Sequence, residues 1–113
     1  MKNYADLNKV EPGFGDGHYS YDLLDEQNGC TAGCKTGVSL YTCVDYQQPG
    51  NHDDQEGFFV LDGKGSAKIG EGEIELYPGI SFIVPAGVKH SIKSNSDHTG
   101  IKVFWFHAAI KTG

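Results

Sequence analysis

The chain has 113 residues, of which 38% are apolar and 12% aromatic, enough for one compact core and too many for general disorder. It carries a net charge of −6, and all nine of its basic residues are lysines. Without arginine or clustered basic residues it is a poor partner for nucleic acid, and strongly anionic substrates rank low.

Glycine, at 16 residues, is about twice its usual share of roughly 7%, which points to many turns. Residues 1–36 read as an arm with a short strand, part of the same domain as the rest of the chain. Turn chemistry at Glu11-Pro12-Gly13-Phe14-Gly15-Asp16-Gly17 precedes a mixed segment, His18 to Gln27, and then Asn28-Gly29-Cys30. From Gly37 the pattern changes, and residues 37–110 read as the main body. Gly37 to Asp45 alternates as a strand does, and Gln47 to Asn51 is a turn. Glu56 to Leu61 is a second strand, closed by Asp62-Gly63-Lys64-Gly65, a hairpin signal. Ser66 to Ile69 and Glu73 to Tyr77 are short strands around Gly70-Glu71-Gly72. Pro78-Gly79 leads into Ile80 to Val84, and Pro85-Ala86-Gly87 leads into Lys89 to Ser94. Ile101 to His107, apolar on both faces, reads as a central strand.

Short strands at roughly ten-residue spacing, with glycine and proline between them, predict an all-β sandwich or barrel. No apolar run approaches the ~20 residues of a membrane span, and the N-terminus lacks an apolar signal-peptide core. The expectation is a soluble cytoplasmic protein without membrane partners. Three cysteines, an odd number, fit a reducing compartment better than a disulfide scaffold.

His52 and Glu56 lie four apart at the start of a strand, so an extended backbone places both on one face. His90 opens another strand. Two imidazoles and a carboxylate converging in a small barrel make a ligand set for Fe(II) and other divalent ions. On spacing alone, solvated or core-satisfied residues explain these positions equally well.

The longer segments favour the first reading. Gly50-Asn-His52-Asp-Asp-Gln-Glu56 through Gly63 resembles the first cupin motif, with His52 in its second histidine position, Glu56 as the glutamate and Gly63 as the glycine. Gly79 through Pro85-Ala-Gly87-Val-Lys-His90 resembles the second motif, whose trailing asparagine falls at Ser94. The resemblance implies an antiparallel, RmlC-like jelly-roll β-barrel, often dimeric. It also implies a divalent metal (Fe, Mn, Ni or Zn) held by His52, Glu56 and His90. One departure matters: Gly50 stands where the family has its first histidine. Asn51, Asp54 and Gln55 are nearby oxygen donors, but nothing in the sequence aims them inward. Either three ligands suffice, or the site has lost its metal and serves as a binding pocket. The resemblance therefore implies a homodimeric cupin enzyme acting on a small polar molecule, with dioxygenase chemistry the specific expectation. The alternatives are a non-catalytic cupin binding a sugar-like ligand, and a structural dimer with a vestigial site.

Most aromatics are expected in the core. Phe58, Tyr41, Trp105 and His107 are the candidates for a substrate pocket, Phe58 because it shares strand parity with Glu56. Ile101, Val103, Trp105 and His107 share one face of the last strand. His107 at its end reads as a surface or interface residue, with a pocket acid or base as the alternative. Cys30 and Cys34 can form a zinc or redox pair, though no second pair completes a structural zinc site. Cys43 reads as buried, His18 and His98 as solvated, and Glu71, Glu73 and Glu75 as a water-facing edge.

Overall fold

Alternation of branched or aromatic residues with small and polar ones sets the strands, and glycine or proline ends them. The computed structural model describes residues 2–15 and 17–108. Within these run β1 (Gly13–Gly15), β2 (His18–Leu24), β3 (Lys35–Tyr41), β4 (Gln55–Asp62), β5 (Gly65–Ile69), β6 (Gly72–Leu76), β7 (Ser81–Val84), β8 (His90–Ser94) and β9 (Ile101–Ala108). Two single 3-10 turns, Leu7–Lys9 and Glu26–Asn28, are the helical elements among the described residues. Residues 109 and 110, which close the expected main body, and Asp16 in the expected turn lie outside them.

The strands form two antiparallel sheets, one in the order β1-β2-β3-β9-β4-β7 and the other in the order β6-β5-β8. Both sheets supply the core. Phe58 and Val60 (β4), Val84 (β7) and Ile101, Val103 and Trp105 (β9) meet Ala67, Leu76 and Ile92 of the smaller sheet. The architecture is an all-β antiparallel jelly roll. β9 lies between β3 and β4, the central place that its apolar character predicts. Glu73 and Glu75 are exposed on β6, an edge strand, as the alternation predicts. Among the described residues no helix is long and apolar enough to cross a membrane.

Three departures from the sequence reading bear on the site. The Asp62-Gly63 turn does not join a hairpin: β4 pairs with β7 and β9, whereas β5 pairs with β6 and β8. It carries the chain from one sheet to the other, with Gly63 at φ +86 and the Gly100 carbonyl lying where a Cβ would stand. β3 stops at Tyr41, because the chain then leaves the larger sheet and the Cys43 carbonyl accepts from Ser94 N of β8 (2.8 Å). The N-terminal segment holds two strands, and the seven-residue β2 pairs along the length of β3.

The register of β4 on β9 defines how the interior ends. Val60 faces Val103, Phe58 faces Trp105 and Glu56 faces His107. Residues directly opposite in an antiparallel pair share a face. The inner surface thus runs apolar, apolar, then polar within three rows, and the polar row marks the mouth of the jelly roll.

Candidate metal centre

The loop before β4 is tied to the start of β8. Gly50 and His90 form an antiparallel bridge and exchange both backbone hydrogen bonds, at 3.1 and 2.9 Å. Gly87 N donates to the His52 carbonyl at 2.8 Å. These bonds bring His52 and His90 beside Glu56 although they are far apart in sequence. His52, Glu56 and His90 each offer a ligand atom, and these atoms lie within 4.8 Å of one another. His52 Nε2 is 3.0 Å and His90 Nε2 3.5 Å from Glu56 Oε1. The Glu56 and His90 side chains are 11% and 14% exposed, and His52 is more open at 31%.

His107, read first as a surface residue and second as a pocket residue, and Asp54, which nothing in the sequence aimed inward, both lie beside the cluster. His107 is a correction to the surface reading: its side chain is 11% exposed, with Nε2 3.5 Å from Glu56 Oε2. Its Nδ1 lies 2.9 Å from Asp54 Oδ2. The sequence held a signal for this, since His107 has the parity of the buried Ile101, Val103 and Trp105. Asp54 also reaches His52 Nδ1 with its other oxygen, at 2.7 Å, and its carbonyl lies 3.2 Å from the same nitrogen. No parity rule finds Asp54, because it precedes β4 in an irregular loop. His52, Asp54 and His107 form a second clustered donor set.

The charges are mutually adjusted. Burial opposes charge on His52, but the Asp54 carbonyl, the Glu56 carboxylate and the Asp54 carboxylate outweigh it and hold its pKa above the ordinary imidazole value. Burial likewise opposes charge on Asp54, and His107 and His52 overcome it, keeping the carboxyl below its usual range. Burial first, then the Glu56 charge, pushes the Tyr41 phenol well above its ordinary value, so it stays protonated.

The pocket candidates separate. Trp105 and Asp54 line a cleft of ≈ 470 Å³ together with Asp22, Asp25, Glu26 and Lys35. The Trp105 indole donates to Ser39 Oγ at 2.9 Å and stands edge-on to His107, with ring centroids 5.5 Å apart. Tyr41 lines a smaller cavity of ≈ 130 Å³ with Gly50 and His90. Phe58 is 1% exposed and stacks on Phe82, so it forms the floor beneath the cluster. Cys30 and Cys34 sit on the rim of the larger cleft, where desolvation and the neighbouring Cys34 thiol raise the Cys30 pKa. His18 departs from its solvated reading, since it stacks on Tyr41 at 4.5 Å between centroids. His98 is exposed as expected. Cys43 is half-buried rather than core, in the stretch that leaves β3.

A family model described as "Cupin domain" matches residues 45–107, more than half of the chain and the whole of the cluster. The chain belongs to the cupin family. No curated protein matches the sequence of this cupin. Among solved structures, an RmlC-like cupin from Shewanella frigidimarina is 18% identical with a TM-score of 0.76, over 98% of this chain and 95% of that one. A predicted oxalate decarboxylase from Thermotoga maritima gives a TM-score of 0.81 at 12% identity, over 94% and 98%. HppE with ferrous iron and substrate gives 0.77 at 17% identity, over 91% of this cupin and 58% of that chain. At these identities the likeness is one of fold.

Proposed function

We propose that this cupin is a metal-dependent enzyme, a cytoplasmic homodimer that binds one divalent ion through His52, Glu56 and His90. Its substrate is a small polar molecule in the adjoining cleft, and the reaction is dioxygenase-type oxidation. The observation that carries the reading is the donor spacing. Two donors bonded at about 2.1 Å to one ion stand about 3.0 Å apart at a right angle and about 3.4 Å apart at a tetrahedral one. The contacts of 3.0 and 3.5 Å match those edges. Imidazole with carboxylate suits Fe, Mn, Ni or Zn, and an Fe(II) centre with open positions supplies dioxygen chemistry. The fold shared with iron-bound HppE makes iron the first metal to load.

The chain's own residues prepare the cleft. Asp22, Asp25, Glu26 and Asp54 outnumber Lys35 on its walls, so it disfavours anions and suits a neutral or cationic hydroxylated molecule. Trp105 supplies a flat apolar wall next to the His107 ring. The same mixture of polar groups and one aromatic plane favours the second reading, a non-catalytic cupin binding a sugar-like ligand.

Elemental analysis of the purified protein tests the proposal, after supplementation with Fe, Mn, Ni and Zn, alongside a His52→Ala, His90→Ala double variant. Near-stoichiometric metal in the parent and its loss in the variant is the expected result. A parent that takes up none refutes the metalloenzyme reading and leaves the binding module. That module predicts thermal stabilisation by a polyol without turnover.

A further inference from the structure

We propose that His107 is a fourth metal-ligating residue, standing in for the histidine that position 50 lacks, and that Asp54 holds both His107 and His52 in the ligating tautomer. This rests on the metal-centre reading and adds to it a donor from the last strand.

The gap and its replacement are both visible in the backbone. Gly50 is directly opposite His90 in its bridge, so a side chain at position 50 would stand on the same face as the His90 ring. Nothing among the described residues lies within 4 Å of where its Cβ would be. The place next to His90 is therefore open. His107 comes from β9 as the register partner of Glu56 and shares His52 with the Glu56–His90 cluster. Its ring centroid is 4.8 Å from that of His52, and Trp105 braces it edge-on.

Proton placement assigns the role of each ring nitrogen. A carboxylate only accepts hydrogen bonds. Asp54 gives one oxygen to each Nδ1, at 2.7 Å for His52 and 2.9 Å for His107. Both distances are ordinary hydrogen-bond lengths; with the hydrogen on each Nδ1, each Nε2 keeps a lone pair, whereas a hydrogen on Nε2 of His52 would bond Glu56 Oε1 instead. Those two lone pairs face Glu56, one toward each carboxylate oxygen, at 3.0 and 3.5 Å. In that tautomer acceptor faces acceptor, and a proton or a metal ion between them relieves the repulsion. Nε2 of His52, His90 and His107 thus lies 3.0, 3.5 and 3.5 Å from one or other oxygen of Glu56. A carboxylate behind a ligating imidazole is the usual means of fixing its tautomer and raising its basicity. Here one carboxylate serves two rings.

The test is NMR of the full chain, ¹⁵N-labelled and loaded with ¹¹³Cd(II) as a spin-active divalent probe. Expected are cadmium–nitrogen couplings at Nε2 of His52, His90 and His107, with Nδ1–H signals for His52 and His107. His107→Ala is expected to lose its coupling and to weaken Cd(II) binding about 10- to 100-fold or more. Adding Gly50→His to that variant is expected to restore a third coupling and most of the affinity. If the parent shows couplings at His52 and His90 but none at His107, the inference fails while the metal centre stands. If His107→Ala binds Cd(II) within threefold of the parent, the inference fails in the same way. A parent that binds no divalent ion overturns the metal-centre reading and this inference with it. Should His107→Ala not fold, the couplings of the parent decide alone.

Discussion

Replacing Asp54 with asparagine keeps the size of the side chain and removes one acceptor. Asp54 offers an oxygen to each of two Nδ1 atoms, at 2.7 and 2.9 Å. The amide has one oxygen and one NH₂ group, so one of the two histidines must turn its Nδ1 into an acceptor. That tautomer moves the hydrogen to Nε2 and withdraws the ring from ligation. Loss of such a carboxylate partner costs about 10- to 100-fold in metal affinity, or about 1.4–2.7 kcal/mol. With metal in excess, the same loss lowers the melting temperature of the loaded protein by roughly 5–15 °C. A chelator-competition titration with Zn(II), with circular dichroism to show that Asp54→Asn is folded, measures the effect. A dissociation constant within threefold of the parent's refutes the positioning argument. Glu56→Gln separates the two donor clusters. If Asp54 were itself a ligand with His52 and His107, Glu56→Gln would leave binding intact. With Glu56 as the ligand and Asp54 behind the rings, it costs more than Asp54→Asn.

Ser39→Ala leaves the buried Trp105 indole N–H without its acceptor, a loss of about 1–3 kcal/mol, read as a lower midpoint in urea denaturation; an unchanged midpoint contradicts the bond. Gly63→Ala places a Cβ against the Gly100 carbonyl at a φ of +86, and is expected to cost more than about 1 kcal/mol by the same assay. Phe59, Ile83 and Phe106 are 44%, 46% and 39% exposed on one outer surface, because Ile83 and Phe106 both sit opposite Gly57, two residues from Phe59. If that surface joins the homodimer, Phe59→Lys is expected to give a monomer by light scattering with the fold intact; an unchanged dimer places the interface elsewhere.

From β3 onward the strands were legible because period-2 alternation and glycine–proline punctuation are local signals, and their predicted spans differ from the observed ones chiefly at the ends. His52, Glu56 and His90 were legible for a different reason: their spacing within two segments resembles the cupin motifs. What escaped was non-local. The inward parity of His107 could be read, but whether the end of β9 reaches solvent or the mouth depends on its pairing with Glu56, 51 positions earlier in the chain. Asp54 depends on the path of an irregular loop. The Asp62-Gly63 turn announces a change of direction, yet its residues do not say which strands will pair across it. β1 is three residues long, two of them glycines, and carries little pattern.

The placement of the donors across the two sheets has a mechanical consequence. Glu56 and His107 belong to the six-stranded sheet, His90 to the three-stranded one, and His52 to the loop bridged to His90. An ion bound as proposed by all of them would be a clasp that closes one end of the sandwich, as a disulfide would in an oxidising compartment. Metal supply would then govern both chemistry and how long the molecule survives. Without such an ion, the polar side chains at that end would be held by hydrogen bonds alone, above the Phe58–Trp105 layer beneath them.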